Sequence, residues 1–367
     1  MTQSTSTQGG KRSFGWKEFL ISLFMIIIVW AGADLLGLGG SSKAVEVYEG
    51  ASIQVFFTTP HDSGQATDYH GGIDERLVAA IDNAQTSVDV AVFELNLPSV
   101  TAALVRAHQR GVRVRLVTDS DYADSLGPIS LLQAQVPVVF DSAEPFMHNK
   151  FVVIDGKQVW AGSWNMTTNG TYRNNNNIIV ADSKLLAENY TTEFEEMFVQ
   201  RKFGASSPDD TPQPQIEIND VHVENIFESE GDARTRMIRL IKDAKSSLDV
   251  MAFVFTDDDI ASAIVARHRA GIPVRIVVET RNLNATGSDI AAFQQAGIDI
   301  LPDGNPYMMH HKVIIIDQAI VITGSYNFSS NAANYNDENV LILHDAGIAG
   351  QYTAEFERVY AQAKAAQ

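Results

Sequence analysis

The sequence contains no cysteine among its 367 residues. Disulfide bonds and thiolate metal sites are therefore excluded, although this absence suits both oxidising and reducing compartments. Positive charge is scarce, because 27 Lys and Arg residues face 45 Asp and Glu residues, which gives a formal net charge of −18. Since proteins that bind long stretches of nucleic acid usually present a basic surface, this balance disfavours nucleic acid as a partner. It does not exclude a small basic pocket for one phosphate.

One long apolar run lies near the amino terminus. Residues 1–18 are polar and partly basic, which predicts a disordered tail, and residues 19–38 are almost entirely apolar apart from Asp34. About 20 apolar residues are needed to span a bilayer, so this segment is either a transmembrane anchor or a signal peptide. In both cases the rest of the chain is expected to be exported, as a membrane-anchored or a secreted protein.

The remainder of the sequence contains an internal repeat. Residues 86–93 (TSVDVAVF) match residues 246–253 (SSLDVMAF), and residues 110–117 match residues 270–277 at the same spacing. Each copy alternates β-branched apolar stretches, typical of buried strands, with stretches of helical spacing. This alternation predicts an α/β fold with helices on the faces of a sheet.

The repeat divides the chain into two halves of similar size. We predict the first repeat at residues 50–202 and the second at residues 222–363, joined by a polar, proline-rich linker at residues 203–221. Such halves are expected to pack as a pseudo-twofold dimer within one chain. A site on the pseudo-twofold axis takes one set of residues from each half, so a monomer is enough to complete it.

Each repeat carries the same short motif: a histidine, a lysine two positions later, an aspartate five positions after the lysine, and then Gly-Ser-x-Asn. The motif residues of the first copy are His148, Lys150, Asp155, Gly162, Ser163 and Asn165, and those of the second are His310, Lys312, Asp317, Gly324, Ser325 and Asn327. Side chains two apart on a strand share a face. The histidine and lysine are therefore expected to face one site, whereas the aspartate points away and has a structural role.

The polar residues of the motif suit an anionic substrate. Lysine supplies positive charge, and serine and asparagine supply hydrogen bonds to developing negative charge. With two copies around one pocket, a phosphodiester matches this demand, since its transition state spreads negative charge over the non-bridging oxygens. One histidine attacks phosphorus and the other protonates the leaving alcohol. No metal or other cofactor is required, because the lysines supply the charge.

The pattern His-x-Lys-x4-Asp followed by Gly-Ser-x-Asn resembles the phospholipase D superfamily, over roughly residues 52–362. The resemblance implies two tandem α-β-α sandwich repeats, a phosphohistidine intermediate and metal-independent phosphoryl transfer. The superfamily includes phospholipases, cardiolipin synthases and hydrolases, phosphatidyl transferases and nucleases.

One position separates the two copies. Eleven residues after the last motif asparagine stands Glu338 in the second copy but Asn176 in the first. In the superfamily, acids at this position tend to orient the histidine of the other half, where a carboxylate fixes the imidazole tautomer and stabilises its charged form. The resemblance therefore implies that Glu338 supports His148, which makes His148 the nucleophile and His310 the acid and base.

Four hypotheses follow from these observations. The first is a phospholipase D-type hydrolase that releases phosphatidate and a head-group alcohol, with the amino-terminal segment near the membrane. The second is a metal-independent endonuclease of the same superfamily, and the third is a cardiolipin synthase or another phosphatidyl transferase. The fourth is a scaffold without activity, which two intact motifs argue against.

Overall fold

A computed structural model describes most of the chain after the amino-terminal segment. The described ranges are residues 52–60, 69–141, 146–228 and 231–367. The predicted tail at 1–18 and the apolar segment at 19–38 lie outside these ranges, so anchorage and export stay predictions. No helix in the described ranges is both long enough and apolar enough to cross a bilayer.

The first repeat alternates strands and helices. Its strands are β1 (Ser52–Phe57), β2 (Ser87–Val92), β3 (Arg113–Thr118), β4 (Val138–Phe140), β5 (Lys150–Ile154), β6 (Gln158–Gly162), β7 (Asn174–Asn175) and β8 (Asn177–Asp182). Its helices are α1 (Ile73–Asn83), α2 (Pro98–Gln109), α3 (Leu126–Gln133), α4 (Thr168–Tyr172) and α5 (Lys184–Glu195).

The second repeat has the same order of main strands and helices, with one strand added at its start and with two-residue strands at other places. Its strands are β9 (Gln215–Ile218), β10 (Val221–Phe227), β11 (Leu248–Ala252), β12 (Phe255–Thr256), β13 (Val274–Val278), β14 (Asp299–Pro302), β15 (Met308–Met309), β16 (Lys312–Ile316), β17 (Ile320–Gly324), β18 (Phe328–Ser329) and β19 (Asn339–His344). Its helices are α6 (Ala233–Asp243), α7 (Asp258–Arg269), α8 (Ile290–Gln295), α9 (Ser330–Asn334) and α10 (Ala346–Ala365).

The two repeats form mixed sheets with equivalent strand orders. The first sheet runs β1-β8-β6-β5-β2-β3-β4, and the second runs β9-β10-β19-β17-β16-β11-β13-β14. In each sheet three strands are parallel (β2, β3 and β4, or β11, β13 and β14), and the other neighbours pair antiparallel. The added edge strand β9 lies within residues 203–221, so part of the stretch predicted as a linker belongs to the second sheet.

The apolar core joins the two sheets. One cluster of buried side chains combines residues of both sheets with residues of α5 and α10, and two further clusters lie between each sheet and its outer helices. Tyr190 of α5 packs edge to face on Phe151 of β5 and on Phe227 of β10, at 4.8 and 5.1 Å between ring centroids. Burying a large apolar side chain stabilises a fold by roughly 1.5–3 kcal/mol. The shared core therefore fixes the two repeats as one pseudo-twofold unit, as predicted.

Short strands cross between the repeats beside the two motifs. β7 pairs in parallel with β15, and Met147 forms an isolated parallel bridge with Asp337. Because β15 leads into the second motif and Met147 leads into the first, each repeat sends a segment to the motif of the other. This exchange places Asn176 beside His310 and Glu338 beside His148.

Glycine is required at the end of β6 and of β17. Gly162 and Gly324 have φ angles of 158° and 144°, and a Cβ atom there would lie 2.2 Å and 2.1 Å from the carbonyl oxygens of Asn177 and Asn339. Without a side chain at these positions, the end of β6 packs closely on the start of β8, and the end of β17 packs closely on the start of β19. The glycines of the motif therefore serve backbone packing.

Candidate active site

The two motifs meet in one place. His148 stands just before β5 and His310 just before β16, and both side chains line a cavity of about 490 Å³. A neighbouring cavity of about 570 Å³ shares His148 with the first. Both histidines are buried, at 7% and 6% exposure, which is low enough to exclude bulk water from most of each ring.

Each histidine is held by the opposite repeat. Nδ1 of His148 lies 2.8 Å from both carboxylate oxygens of Glu338. Nδ1 of His310 lies 2.9 Å from the side-chain oxygen of Asn176 and 3.0 Å from the carbonyl oxygen of Ser163. Since every one of these partners accepts, Nδ1 of each ring carries the proton, and Nε2 is left available to the cavity.

The motif serines lie behind the histidines. Ser163 donates its hydroxyl hydrogen bond to the side-chain oxygen of Asn176 at 2.9 Å, and Ser325 donates to Glu338 at 2.6 Å. Both serines are fully buried. This geometry corrects the expectation that the serines donate hydrogen bonds to the oxyanion directly. Their hydroxyls donate instead to Asn176 and Glu338, which in turn bind the histidines.

The motif asparagines occupy the cavity walls. Asn165 lines the cavity of about 490 Å³, and Asn327 lines the cavity of about 570 Å³. Within the described part of the chain, the side-chain oxygen of each is buried without a hydrogen-bond partner. Of the polar residues in Gly-Ser-x-Asn, the asparagine is thus the one that lines a cavity.

The motif lysines bring buried positive charge. Each Nζ donates to the carbonyl oxygen of the histidine two residues earlier, at 2.7 Å for Lys150 and 2.9 Å for Lys312. Burial lowers the pKa of Lys150 to about 7, against the opposing effect of Glu338 and two other acids. Burial and the charge of Lys150 lower the pKa of Lys312 well below its usual value. An anion bound between the two lysines would favour their charged forms.

Burial also shifts the titration of the histidines and of Glu338. Desolvation lowers the pKa of His148 and His310 well below the usual histidine value, and the two lysines lower both further. Burial raises the pKa of Glu338 to about 7, although Lys150 opposes this effect. A cluster of shifted groups around one cavity is typical of a catalytic site.

The motif aspartates lie away from the cavity. Asp155 accepts hydrogen bonds from the backbone N–H groups of three successive residues, 85–87, at 2.7–3.1 Å. Asp317 accepts the same three from residues 245–247 at 2.6–3.0 Å. Each carboxylate fastens the turn after the motif strand to the start of the neighbouring strand, β2 or β11.

Sequence reasoning missed several groups around the site. Phe93 and Phe253, which follow the matching strands β2 and β11, pack edge to face on His148 and His310 at 4.9 and 4.8 Å. Their equal positions in the aligned repeat segments were a usable signal. Glu94, which lines the cavity, has its pKa raised by burial. It has no acidic counterpart in the second repeat, so no pattern marked it.

Buried acids also fix the backbone before each histidine. The N–H of Met147 donates to Asp119 and Asp141 at 3.2 and 3.1 Å, and the N–H of Met309 donates to Glu279 at 2.7 Å. Burial raises the pKa of Asp119 to about 6. Asp119 and Glu279 directly follow the matching strands β3 and β13, and Asp141 directly follows β4. The matching positions of Asp119 and Glu279 in the two repeats could have revealed them.

One cluster of possible metal ligands lies elsewhere in the described ranges. His222, Glu224 and His344 each place a ligand atom within 4.8 Å of the others. Glu224 is already bound by Arg236, at 2.6 and 2.7 Å to its two carboxylate oxygens. His344 ends β19, the strand that begins just after Glu338, so this cluster is remote from the cavity. The absence of a metal from the reaction stays a prediction.

Comparisons with known proteins agree on one family. The family model described as cardiolipin synthase, PLD-like domain, matches residues 77–198 and 237–360. Human mitochondrial cardiolipin hydrolase is 36% identical over 130 residues, which are 35% of this chain and 52% of that protein. Phospholipase D of Rickettsia prowazekii (strain Madrid E) is 34% identical over 136 residues, which are 37% of this chain and 66% of that protein. The matched region thus spans between half and two thirds of these relatives.

A solved structure shows the fold over both repeats. Phosphatidylserine synthase of Haemophilus influenzae Rd KW20 matches with a TM-score of 0.62 at 13% sequence identity, over 84% of this chain and 86% of that chain. At this identity the match establishes the arrangement of the two repeats and does not bear on the reaction.

Proposed function

This chain belongs to the phospholipase D superfamily, and on that premise we propose that it is a metal-independent phosphodiesterase that hydrolyses phospholipids. The reaction releases phosphatidate and a head-group alcohol through a phosphohistidine intermediate. The observation that carries the proposal is the pair of buried histidines from opposite repeats, each held through Nδ1 and flanked by a buried lysine, in one cavity. A single chain supplies both halves, so we expect an active monomer.

The first step forms the covalent intermediate. Nε2 of His148 attacks phosphorus while the bond from phosphorus to the leaving alcohol oxygen breaks, and Nε2 of His310 gives its proton to that oxygen. The bound phosphodiester anion offsets the charge of the two lysines, which favours the protonated form of His310 at the start of this step. Glu338 stabilises the positive charge that His148 acquires when its nitrogen bonds to phosphorus.

The second step returns the enzyme to its starting state. Neutral His310 takes a proton from water, the water oxygen attacks phosphorus, and the bond between phosphorus and His148 breaks. In both steps the lysines and the motif asparagines hold the non-bridging oxygens, where negative charge develops. An alcohol in place of water would make the same chemistry a transfer, so the choice of acceptor depends on access to the cavity.

Several observations support a phospholipid as the substrate. The named relatives are a cardiolipin hydrolase and a phospholipase D. The net charge of −18 disfavours a long nucleic-acid footprint. The cavity of about 490 Å³ is also lined by Glu94, Asn96 and Arg173. Its wall therefore offers an acidic and a cationic side chain to a polar head group.

A comparison of three substrates tests the proposal. The full chain is incubated in EDTA with phosphatidylcholine vesicles, cardiolipin vesicles or supercoiled plasmid. We expect phosphatidate or phosphatidylglycerol from lipid and intact plasmid. Nicked plasmid without lipid turnover would replace the proposal with the endonuclease hypothesis, and loss of activity in EDTA would remove the metal-independent mechanism.

Two variants make the comparison specific to the site. His148→Ala removes the proposed nucleophile and should abolish turnover, because the two histidines act as one unit. His108→Ala is the matched control, since His108 lies on the outer helix α2 and its removal should leave turnover unchanged. Lipid turnover that survives in His148→Ala would contradict the proposed mechanism. An added alcohol such as glycerol identifies transfer if phosphatidylglycerol accumulates at the expense of phosphatidate.

A further inference from the structure

Large exposed apolar side chains gather at one part of the surface. Six such side chains occur in the described part of the chain, and five of them belong to the group that we call the apolar rim. The apolar rim consists of Leu126 (57% exposed), Ile129 (38%), Leu132 (48%), Phe146 (41%) and Tyr335 (56%). Val199, at 63% exposure, is the sixth and belongs to the turn that extends α5.

Three rim residues form one face of α3. Leu126, Ile129 and Leu132 are spaced three apart, so they lie on the same side of the helix over about 9 Å of its length. The opposite side, with Pro128 and Leu131, is buried against the first repeat. The helix therefore presents apolar side chains both to the core and to the surface, which is unusual for a helix on a soluble domain.

Contacts place α3 at the entrance of the site. The ring of Tyr122, four residues before the helix, lies 4.9 Å from the ring of Phe93, and Phe93 lies 4.9 Å from His148. The first turn of α3 touches the backbone of Leu95, since a Cβ atom on Gly127 would come within 2.3 Å of the Leu95 carbonyl oxygen. The start of α3 thus lies against the segment that follows Phe93, next to the aromatic wall beside His148.

The other two rim residues flank the same entrance. The ring of Phe146 lies 5.4 Å from that of Phe93. The carbonyl oxygen of Phe146 accepts a hydrogen bond of 3.0 Å from the N–H of Asp337, two residues after Tyr335. The apolar rim therefore combines both repeats around one side of the cavity mouth.

The second repeat does not share this feature. α8 occupies the position of α3, and both helices end at a residue with positive φ one turn before the next strand, Gln135 and Gly297. Aligned on these residues, the counterparts of the five rim residues are Ser288, Ala291, Gln294, Met308 and Arg173. Four of these five counterparts are small or polar, and the fifth is Met308. The three exposed apolar positions of α3 are therefore not required by the repeat fold, which points to a contact.

We propose that the apolar rim docks on the surface of a phospholipid bilayer and presents a lipid phosphodiester to the two histidines. This inference rests on the proposed function. A second copy of the chain or another segment of this chain would also bury the apolar side chains, but either would cover the entrance beside His148. A lipid surface buries the same side chains and at the same time supplies the substrate there.

A single label tests the position of the rim. Because the chain has no cysteine, Ile129→Cys and Val199→Cys each accept one environment-sensitive fluorophore on the full chain. In the His148→Ala background, phosphatidylcholine vesicles stay intact and carry a nitroxide quencher on the acyl chain. We expect quenching at position 129 at least threefold stronger than at the control position 199. A label reports its own surroundings, so binding through residues 19–38 does not produce this difference.

Other outcomes would overturn the proposal. Equal quenching at the two positions would show that the rim stays out of the lipid. Blue-shifted emission from position 129 before lipid is added would show that protein already covers the rim: a second copy if the emission depends on protein concentration, and a segment of the same chain if it does not. If the label at position 129 enters the bilayer but the wild-type chain hydrolyses no phospholipid, the proposed function is contradicted and the docking surface is retained.

A swap with the second repeat tests the consequence for turnover. The triple variant Leu126→Ser, Ile129→Ala and Leu132→Gln carries the residues that the second repeat has at these positions. A cooperative thermal unfolding transition serves as the check that it folds. We expect the ratio of vesicle turnover to turnover of a soluble phosphodiester to fall at least fivefold. Val199→Ser should leave this ratio at the wild-type value. An unchanged ratio in the folded triple variant would contradict docking through α3.

Discussion

Glu338 holds Nδ1 of His148 at 2.8 Å from both of its carboxylate oxygens, although the two residues belong to different repeats. At the matching place His310 meets Asn176, at 2.9 Å. The two contacts are equivalent in position and differ in charge, and His310 also contacts the carbonyl oxygen of Ser163 at 3.0 Å. A carboxylate stabilises positive charge on the ring far better than an amide does, so the pseudo-twofold site is electrostatically unequal. This inequality is the physical reason for giving the two histidines different roles.

The first prediction separates those roles with an activated substrate. Bis(p-nitrophenyl) phosphate has a leaving group that needs no proton from an acid. We therefore expect His310→Ala to release about one equivalent of nitrophenolate in a burst and then to stall, because no base activates water for the second step. The stalled enzyme should carry a phosphoryl adduct on His148, which peptide mapping at alkaline pH locates.

The reciprocal variant is the control for this experiment. His148→Ala lacks the proposed nucleophile and should give neither a burst nor an adduct. An adduct on His310 in His148→Ala would reverse the assignment of the two histidines. Absence of a burst from both variants would argue against a covalent route.

The second prediction concerns the acidic side of the pH profile. Burial raises the pKa of Glu338 to about 7, so its charge is lost as the pH falls through that value. We expect kcat/KM of the wild-type chain to fall below pH 7, because neutral Glu338 no longer supports positive charge on His148. Glu338→Gln should lower the maximal rate roughly 100-fold and abolish this acidic limb. Asn176→Ala is the control and should retain the limb; its loss there would assign the titration to another group.

Sequence reasoning predicted much of the fold and part of the site. The internal repeat and the β-branched runs predicted the two α/β halves. Strands buried on both faces are rich in β-branched apolar residues, so a short stretch of sequence is enough to indicate them. The fastening of a neighbouring strand by Asp155 also matches its predicted structural role. The hydrogen-bond partner expected for Ser163 was wrong, because its hydroxyl donates to Asn176. Alternation along a strand gives the face of a side chain but not the partner of its hydroxyl.

Other features depend on contacts between distant residues. The exchange of segments that brings Asp337 to Met147 joins positions far apart in the chain, and only the superfamily resemblance pointed to it. The exposed apolar face of α3 could not be separated from a core face, because Leu126, Ile129 and Leu132 follow ordinary helical spacing and their exposure is a tertiary property. The edge strand β9 was not predicted, and its residues were assigned to the linker. A strand of four residues beside a proline-rich stretch gives only a weak periodic signal.

The third prediction concerns the alkaline side of the profile. Burial lowers the pKa of Lys150 to about 7, so its positive charge is lost as the pH rises through that value. We expect kcat/KM on a soluble phosphodiester to fall above pH 7 in the wild-type chain. Arginine stays charged at any accessible pH, so Lys150→Arg should flatten this alkaline limb even if its maximal rate is lower. An alkaline limb at the same pH in Lys150→Arg would exclude Lys150 as its source.

The fourth prediction tests the structural role of the motif aspartates. Asp155 is partly buried and accepts three backbone hydrogen bonds, and these outweigh burial and hold its pKa below the usual value of 3.8. A group whose pKa is lowered on folding stabilises the fold above its unfolded pKa, and this contribution is lost as the pH falls through the folded pKa. We expect Asp155→Asn to lower the free energy of unfolding by about 2 kcal/mol at pH 7, since hydrogen bonds to a charged group contribute about that much.

Urea unfolding at pH 7, 5 and 3 measures this effect. The difference between wild type and Asp155→Asn should be similar at pH 7 and 5 and smaller at pH 3, which lies below the usual pKa of 3.8 that the carboxyl group has in the unfolded chain. Asp317→Asn should behave in the same way, because Asp317 accepts the equivalent bonds from residues 245–247. Asp210→Asn, on the exposed stretch between the repeats, should leave stability unchanged at every pH. A difference for Asp155→Asn that does not shrink at pH 3 would mean that its carboxylate charge is not what fastens β2 to the motif turn.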